Sequence, residues 1–600
     1  MNKKQELTTT SIITGIFLAI AFGGANAYLG LRVGMTVSAS IPAAVLSMGI
    51  IRLLLKRNSI LENNMVQTIG SAGESIAAGA IFTLPALFMW SAEWGTAQPS
   101  LIEICLISLC GGMLGVAFMI PLRSILISNP RENLPYPEGT ACAEVLLAGE
   151  EKGASASTVF KGLTFSAIYK IITDGLGIFP SQLHYEPKRF RGSGFGIDIL
   201  PALTGVGYIC GPKIASYMLG GGIMSWLVLM PLLSFLGGDV LTDMDSFAIW
   251  RSYIRYIGAG AVAAGGIISL LKSLPLIITT FSKSLKSINS DTNNDKKDIS
   301  LKIILPLIAA LILIVWLVPF IPVTLIGAVI VALFGFFFAT VSSRLVGLVG
   351  SSNNPVSGMT IATLLISAFI LKASGYDARS GMIGAIAIGS IICIVVAIAG
   401  DTSQDLKTGD ILGATPYKQQ IGEFIGVAVS SLFIGAILYL LNKAWGYGST
   451  ELPAPQATLM KLVVEGVMGG SLPWNLVFIG AFIAVFIEII GIPVLPFCIG
   501  IYLPIHLSMG IMSGGIVRLW SDKKNTESKN GILYSSGMIA GEGLIGILLA
   551  IFAILPVGGR NLGEIINLSD KFSLGSIGGL IAFLLLISSL IYSINKNRRN

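Results

Sequence analysis

Ser11-Ile-Ile-Thr-Gly-Ile-Phe-Leu-Ala-Ile-Ala-Phe-Gly-Gly-Ala-Asn-Ala-Tyr-Leu-Gly-Leu31 carries no charged side chain. Wound as an α-helix at ~1.5 Å per residue it is about 31 Å long, the thickness of a bilayer's hydrocarbon core. It is too long for the apolar centre of a secretion signal and no small-residue cleavage site lies in a polar flank. It therefore reads as a first spanning helix. Comparable runs follow, centred near residues 44, 78, 111, 168, 208, 229 and 268. Others centre near 310, 333, 364, 391, 431, 482, 505, 543 and 584. Of the 600 residues 53% are hydrophobic and 12% charged, with a mean hydropathy of +0.81. Soluble domains carry about 25% charge, so the fold class is all-α, a polytopic integral membrane protein. The 71 glycines suit close helix contacts and broken helices.

Orientation follows from the basic loops. Lys3, Lys4, Arg52, Lys56, Arg57, Arg123 and Arg131 alternate with the Lys- and Arg-free stretch 91–100, and Lys596, Arg598 and Arg599 close the chain. Both termini are then cytoplasmic, in a multi-pass protein of the cytoplasmic membrane. An even span count is required, so the seventeen runs reduce to about sixteen, with one run re-entrant or one helix split. Lys188, Arg189 and Arg191 conflict with this scheme by falling outside. A polar linker at 283–300 separates an N-terminal half, 1–282, from a C-terminal half, 301–600.

Several functions are excluded. The net charge of +7 sits in loops and tails, with no basic stripe interleaved with aromatics, so no nucleic-acid partner is expected. Cys105, Cys110, Cys142, Cys210, Cys393 and Cys498 lie singly, and only His184 and His506 occur. Neither a disulfide framework nor a resident metal or cofactor is expected. No phosphate-binding Gly-Lys-Ser/Thr loop occurs, so transport energy would come from an ion gradient.

Ionisable residues at membrane depth cost roughly 2.5–3.5 kcal/mol on insertion scales. Glu74, Glu542, Glu423 and Glu488 lie in such runs. Glu74 and Glu542 read either as proton-accepting carboxylates on a wet path or as packing groups held by neighbouring serines. They also sit in a weak repeat. Ser47 to Arg52 resembles Ser513 to Arg518, and Ala-Gly-Glu follows at both Glu74 and Glu542. Lys170 and Asp174 are spaced as a helical ion pair. Arg32 reads as an interfacial anchor or as a partner for a substrate carboxylate.

Three polar stretches look like broken helices around a cavity. The first is 128–144, where Pro137-Glu138-Gly139 starts a helix. The second is 350–358, around Pro355. The third runs from Ala399 through Asp401, Gln404, Asp405 and Lys407 to Asp410. A paired-aspartate intramembrane protease, using Asp377 and Asp401, is a remote alternative. Ile398 stands where that chemistry expects Gly, and Asp377 lies beside Lys372 and Arg379.

Four blocks carry a resemblance: Asn26 to Gly34, Glu62 to Ser75, Leu134-Pro-Tyr-Pro-Glu-Gly-Thr-Ala141, and Gly400-Asp-Thr-Ser-Gln-Asp-Leu-Lys-Thr-Gly409. Leu495 to Pro504 and Ala540-Gly-Glu-Gly543 extend it. On these, the chain resembles the oligopeptide transporter family in its prokaryotic branch. The Asn-Pro-Gly motif of the eukaryotic peptide carriers is replaced by Asn129-Pro-Arg and Asn354-Pro-Val. The resemblance implies about sixteen spans and proton-driven uptake of short peptides or metal–chelate complexes, by a transporter rather than an enzyme. Tyr28, Asn64, Gln67, Tyr136, Gln404 and Lys407 are the expected substrate contacts. Glu74, Glu138, Glu144, Asp401, Asp405 and Glu542 are the expected proton-coupling groups.

Overall fold

The computed structural model describes residues 6–34, 36, 38–55, 59–127, 134–152, 154–187, 192–237, 244–268, 271–272, 275, 298–351, 354–449, 451–469, 473–524, 529–557, 560–569 and 571–595. Linker residues 283–297 lie outside them. So do Lys3, Lys4, Lys56, Arg57, Arg131, Lys188, Arg189, Arg191, Lys596, Arg598 and Arg599, and the Arg52 side chain.

Among the described residues ten helices are long and apolar enough to cross a membrane, and three shorter apolar helices accompany them. The only strands there form two short hairpins. This is an all-α polytopic membrane protein. Several of the runs expected to span fold into shorter helices. The helices that bear on the site are α1 (Thr9–Val33), α2 (Ser40–Leu55), α3 (Ile60–Ile81), α4 (Leu101–Met119), α5 (Pro137–Lys152) and α6 (Ala154–Lys170). They continue with α7 (Pro201–Ile223), α8 (Leu325–Val349), α9 (Ala378–Leu412), α10 (Pro416–Trp445), α11 (Ile505–Lys523) and α12 (Lys529–Ile554).

The chain forms two compact units, and each draws on both ends of the sequence. One comprises Met1–Ser157 with Leu270–Gly470, the other Thr158–Ser269 with Ser471–Asn600. This differs from a division into 1–282 and 301–600. The reason is distant helix pairing: α9 and α10 pack on α3, whereas α11 and α12 pack on α7.

In the first unit small residues set the spacing. A Cβ on Gly73 of α3 would stand 2.0 Å from the Ala19 carbonyl of α1, and one on Gly426 of α10 2.5 Å from the Ile69 carbonyl. Backbone cannot yield as a side-chain tip can. We expect Gly73→Ala to destabilise the protein by about 1–3 kcal/mol. Gly220→Ala meets only the Phe497 ring edge, at 3.3 Å, and should cost less. Thermal unfolding of both variants in the same detergent checks the order.

Helix α9 runs through the buried interior of this unit. Asp377 caps its start by accepting the Ser380 N–H at 3.1 Å. These Ser380 hydrogen bonds hold the exposed Asp377 carboxyl below its ordinary range. The helix stays unbroken through 399–410, so the third expected loop is corrected to helix. No proline interrupts it, and Gln404, Asp405 and Thr408 find partners on α3 and α5. The chain turns only at Gly413, in the left-handed region at φ 70°, before Pro416 opens α10. At the other two expected breaks α5 begins at Pro137, and α8 ends at Val349 before a further helix opens at Val356; residues 128–133, 352 and 353 lie outside the described residues. One helix, Pro455–Met468, has no counterpart among the expected runs. Its charged face explains this, since Lys461 bonds Glu465 at 2.8 Å and Glu93 at 2.9 Å.

In the second unit α7 crosses α11 closely. Cβ atoms on Gly207 and Gly514 would fall 1.7 and 1.9 Å from opposing carbonyls. Strand β1 (Gln182–Tyr185) pairs antiparallel with β2 (Phe195–Asp198), His184 opposite Gly196.

Candidate functional site

The polar turn of α9 faces the starts of two sixteen-residue helices in the first unit. Ser40, the first residue of α2, donates its hydroxyl to Asp405 at 3.3 Å. Gln67 Nε2 and the Ser71 hydroxyl of α3 also donate to the Asp405 carboxylate. At the start of α5, the Gly139 N–H donates to Gln404 Oε1 at 2.6 Å, and the Thr408 hydroxyl donates to the Gly139 carbonyl at 2.9 Å. A Cβ on Gly139 would meet the Gln404 carbonyl at 2.6 Å, so glycine permits this approach. The Ala39 N–H, just ahead of α2, donates to Glu74 Oε2 at 3.3 Å, and Asn26 Nδ2 donates to Glu74 Oε1 at 3.0 Å. Helix starts carry unpaired N–H groups and partial positive charge, which suits anionic or polar groups.

Glu74, Asp401, Asp405 and Glu423 are all buried. Glu423 of α10 stands beside Asp405 and Thr402, and Ser75 and Ser71 stand beside Asp401. Among the described residues the oxygens of Asp401 and Glu423 nevertheless accept no hydrogen bond in bonding geometry, and the Asn64 amide and Gln67 Oε1 are likewise unpartnered. Among the described residues no Lys, Arg or His forms an ion pair with any of the four carboxyl groups. Buried polar groups without partners are rare enough in folded chains to need a reason.

Thus Asn64, Gln67, Gln404, Glu74, Asp401 and Asp405 all fall on α3 and the facing polar turn of α9. The half-buried Glu138 borders them, accepting the Ser351 N–H at 3.0 Å. Buried Tyr136 adopts the left-handed φ of 41° just before Pro137, and its N–H donates to the Gly347 carbonyl at 2.8 Å. Tyr28 accepts from Arg32 at 2.6 Å and packs against Trp445, so Arg32 is a buried partner of Tyr28. Two expected residues face elsewhere. Lys407 pairs with the exposed Asp410 at 3.5 Å, and Glu144 is exposed. Asp377 and Asp401 lie about 36 Å apart along α9, 24 residues at ~1.5 Å each, and cannot act as a protease pair.

Glu542 belongs to the second unit and has a different setting. It accepts the Ala202 N–H at the start of α7 at 2.7 Å and lies 3.5 Å from Lys170 Nζ. Lys170 also pairs with Asp174 at 2.5 Å. Both repeat glutamates therefore close on a helix start, but among the described residues only Glu542 has a buried cation. The sequence-derived site omitted Ser40, Ser71 and Glu423. Gln419 and Glu423, one turn apart in an apolar helix, were the available signal for the last.

Apolar spanning helices around a buried polar cluster fed by two helix starts define a membrane transporter. A family model for the OPT oligopeptide transporter protein matches residues 6–553, and the chain belongs to that family. It is 32% identical to a Haemophilus influenzae protein provisionally named an oligopeptide transporter, over 93% of this chain and 97% of that one. It is 25% identical to the metal-nicotianamine transporter YSL3 of Arabidopsis thaliana, over 90% of each chain. A rice protein provisionally named metal-nicotianamine transporter YSL13 is also 25% identical, over 92% of this chain and 86% of that one.

Proposed function

We propose that this chain is a proton-coupled symporter of short peptides in the cytoplasmic membrane, with both termini cytoplasmic. The observation that carries the reading is the buried cluster of Glu74, Asp401, Asp405 and Glu423, with which no Lys, Arg or His among the described residues forms an ion pair. Two carboxylates about 6 Å apart repel by about 3 kcal/mol at an effective dielectric of ~20. Four such groups out of water favour states that hold protons. Proton binding and cargo binding then draw on the same polar groups. Asn64, Gln67, Gln404 and Tyr136 are the substrate contacts, and the positive dipole ends of α2 and α5 suit a peptide carboxylate. Tyr28, Lys407 and Glu144 act from the periphery, and Glu138 and Glu542 complete the set of coupling groups. The provisional name of the Haemophilus relative agrees with a peptide cargo.

Purified protein in liposomes is expected to accumulate a labelled tripeptide under an inward proton gradient and to lose that accumulation with a protonophore. Absence of uptake with and without the gradient sinks the reading. The plant relatives favour a second cargo, a metal–chelate complex, whose amino and carboxylate groups resemble those of a peptide. Competition between peptide and metal-loaded nicotianamine for the same uptake distinguishes the two.

A further inference from the structure

The second unit brings together the chain's two histidines. His184 Nδ1 on β1 lies 2.8 Å from Nε2 of His506, the second residue of α11. Glycines on the facing strand and just ahead of it permit the approach. A Cβ on Gly196 would stand 2.5 Å from His506 Nε2, and one on Gly194 would stand 2.9 Å from His184 Cε1. His506 is wholly buried, stacked near-parallel on Phe247 at 5.3 Å and edge-on to Trp226 at 5.2 Å. Its Nδ1 has no hydrogen-bond partner.

On the outer side His184 Nε2 lies 3.2 Å from Glu186 Oε1. The Ser246 N–H, at 3.1 Å, and the Ser246 hydroxyl donate to the same carboxylate. Burial opposes the charge on Glu186, but the hydrogen bonds from Ser246 and His184 outweigh it and hold its carboxyl below the ordinary range. The other acidic groups nearby are engaged. Asp198 on β2 accepts from Gln182 Nε2 at 2.8 Å, and Asp245 accepts the Ala248 N–H at 2.6 Å. Among the described residues Glu186 forms an ion pair with His184 alone.

We propose that His184 and His506 form a second proton-binding site, in which the two rings share a single proton beside ionised Glu186, and that its occupancy sets the pH response of transport. The transport half of this rests on the proton-coupled reading above. A hydronium ion gives one proton to His184 and leaves as water. His184 then donates through Nε2 to Glu186 and through Nδ1 to the lone pair on His506 Nε2. A second proton would set two N–H groups against each other at 2.8 Å, so the pair holds one.

With only two histidines in the chain, ¹⁵N-histidine labelling of the intact protein in nanodiscs reports this pair alone. On acidification one ring is expected to take up a proton while the other stays neutral. His184→Gln should abolish that step. Titration of both rings, titration of neither, or a step that survives His184→Gln overturns the site. In proteoliposomes, His184→Gln and His506→Gln should each shift the external-pH profile of peptide uptake by at least about one pH unit. Profiles parallel to wild type and merely scaled down mean a structural role and overturn the transport half. Absence of uptake in wild type would sink the symport reading while the titration still decides the histidine site.

Discussion

Asp405→Asn is expected to abolish gradient-driven uptake while leaving the fold intact. Asparagine keeps the shape of the side chain. Its carbonyl can still accept from Gln67, and its amide can donate to the Ser71 hydroxyl, whose rotor can turn to accept it. What is lost is the ability to alternate between charged and protonated forms, which is the only part a proton cycle requires. Concentrative uptake should fall at least about a hundredfold, comparable with or above the usual loss of a proton-transferring group. Counterflow exchange of labelled for unlabelled peptide, which needs no net proton movement, should persist. Loss of both activities with a normal thermal midpoint would make Asp405 a cargo ligand. Unchanged concentrative uptake would remove it from coupling.

The second large effect is on stability. Lys170 is fully buried between Asp174 and Glu542, and Glu542 is itself buried. Replacing Lys170 by Met fits the space but strands a buried carboxylate. Breaking a buried pair from one side costs about 3–5 kcal/mol. Lys170→Met should therefore lower the thermal midpoint sharply or prevent recovery of monodisperse protein. Adding Glu542→Gln should restore much of the loss, because the amide still accepts the Ala202 N–H without a charge. A double variant no more stable than Lys170→Met would show that the lysine acts through packing alone.

The parts legible in the sequence are those written in local chemistry. The apolar run around 11–31 and the proline start of α5 at Pro137 needed only length, polarity and the missing proline donor. The polar turn of α9 was misread because Asp401, Gln404 and Asp405 look like loop residues until their partners are known. Those partners, Gln67 and Ser71 on α3 and Gly139 on α5, are more than 260 positions away, and no local pattern encodes them. The same distance hid the pairing of helices into interleaved units and the meeting of His184 with His506. Lys407 shows the converse. It belongs to the most specific motif in the chain, yet helical geometry turns it toward Asp410.

The continuity of α9 fixes one quantity that no motion of neighbouring helices can alter. Asp401 and Asp405 are one turn apart on an unbroken helix, so the spacing of their backbone positions is set within α9 itself. The distances from Asp405 to Gln67 and Ser71 on α3, Ser40 on α2 and Glu423 on α10 are not set in this way, because each partner stands on a segment other than α9. Whatever links proton occupancy to helix arrangement must therefore pass through those inter-helical contacts. The aspartate pair stays one turn apart on α9, whatever its surroundings do.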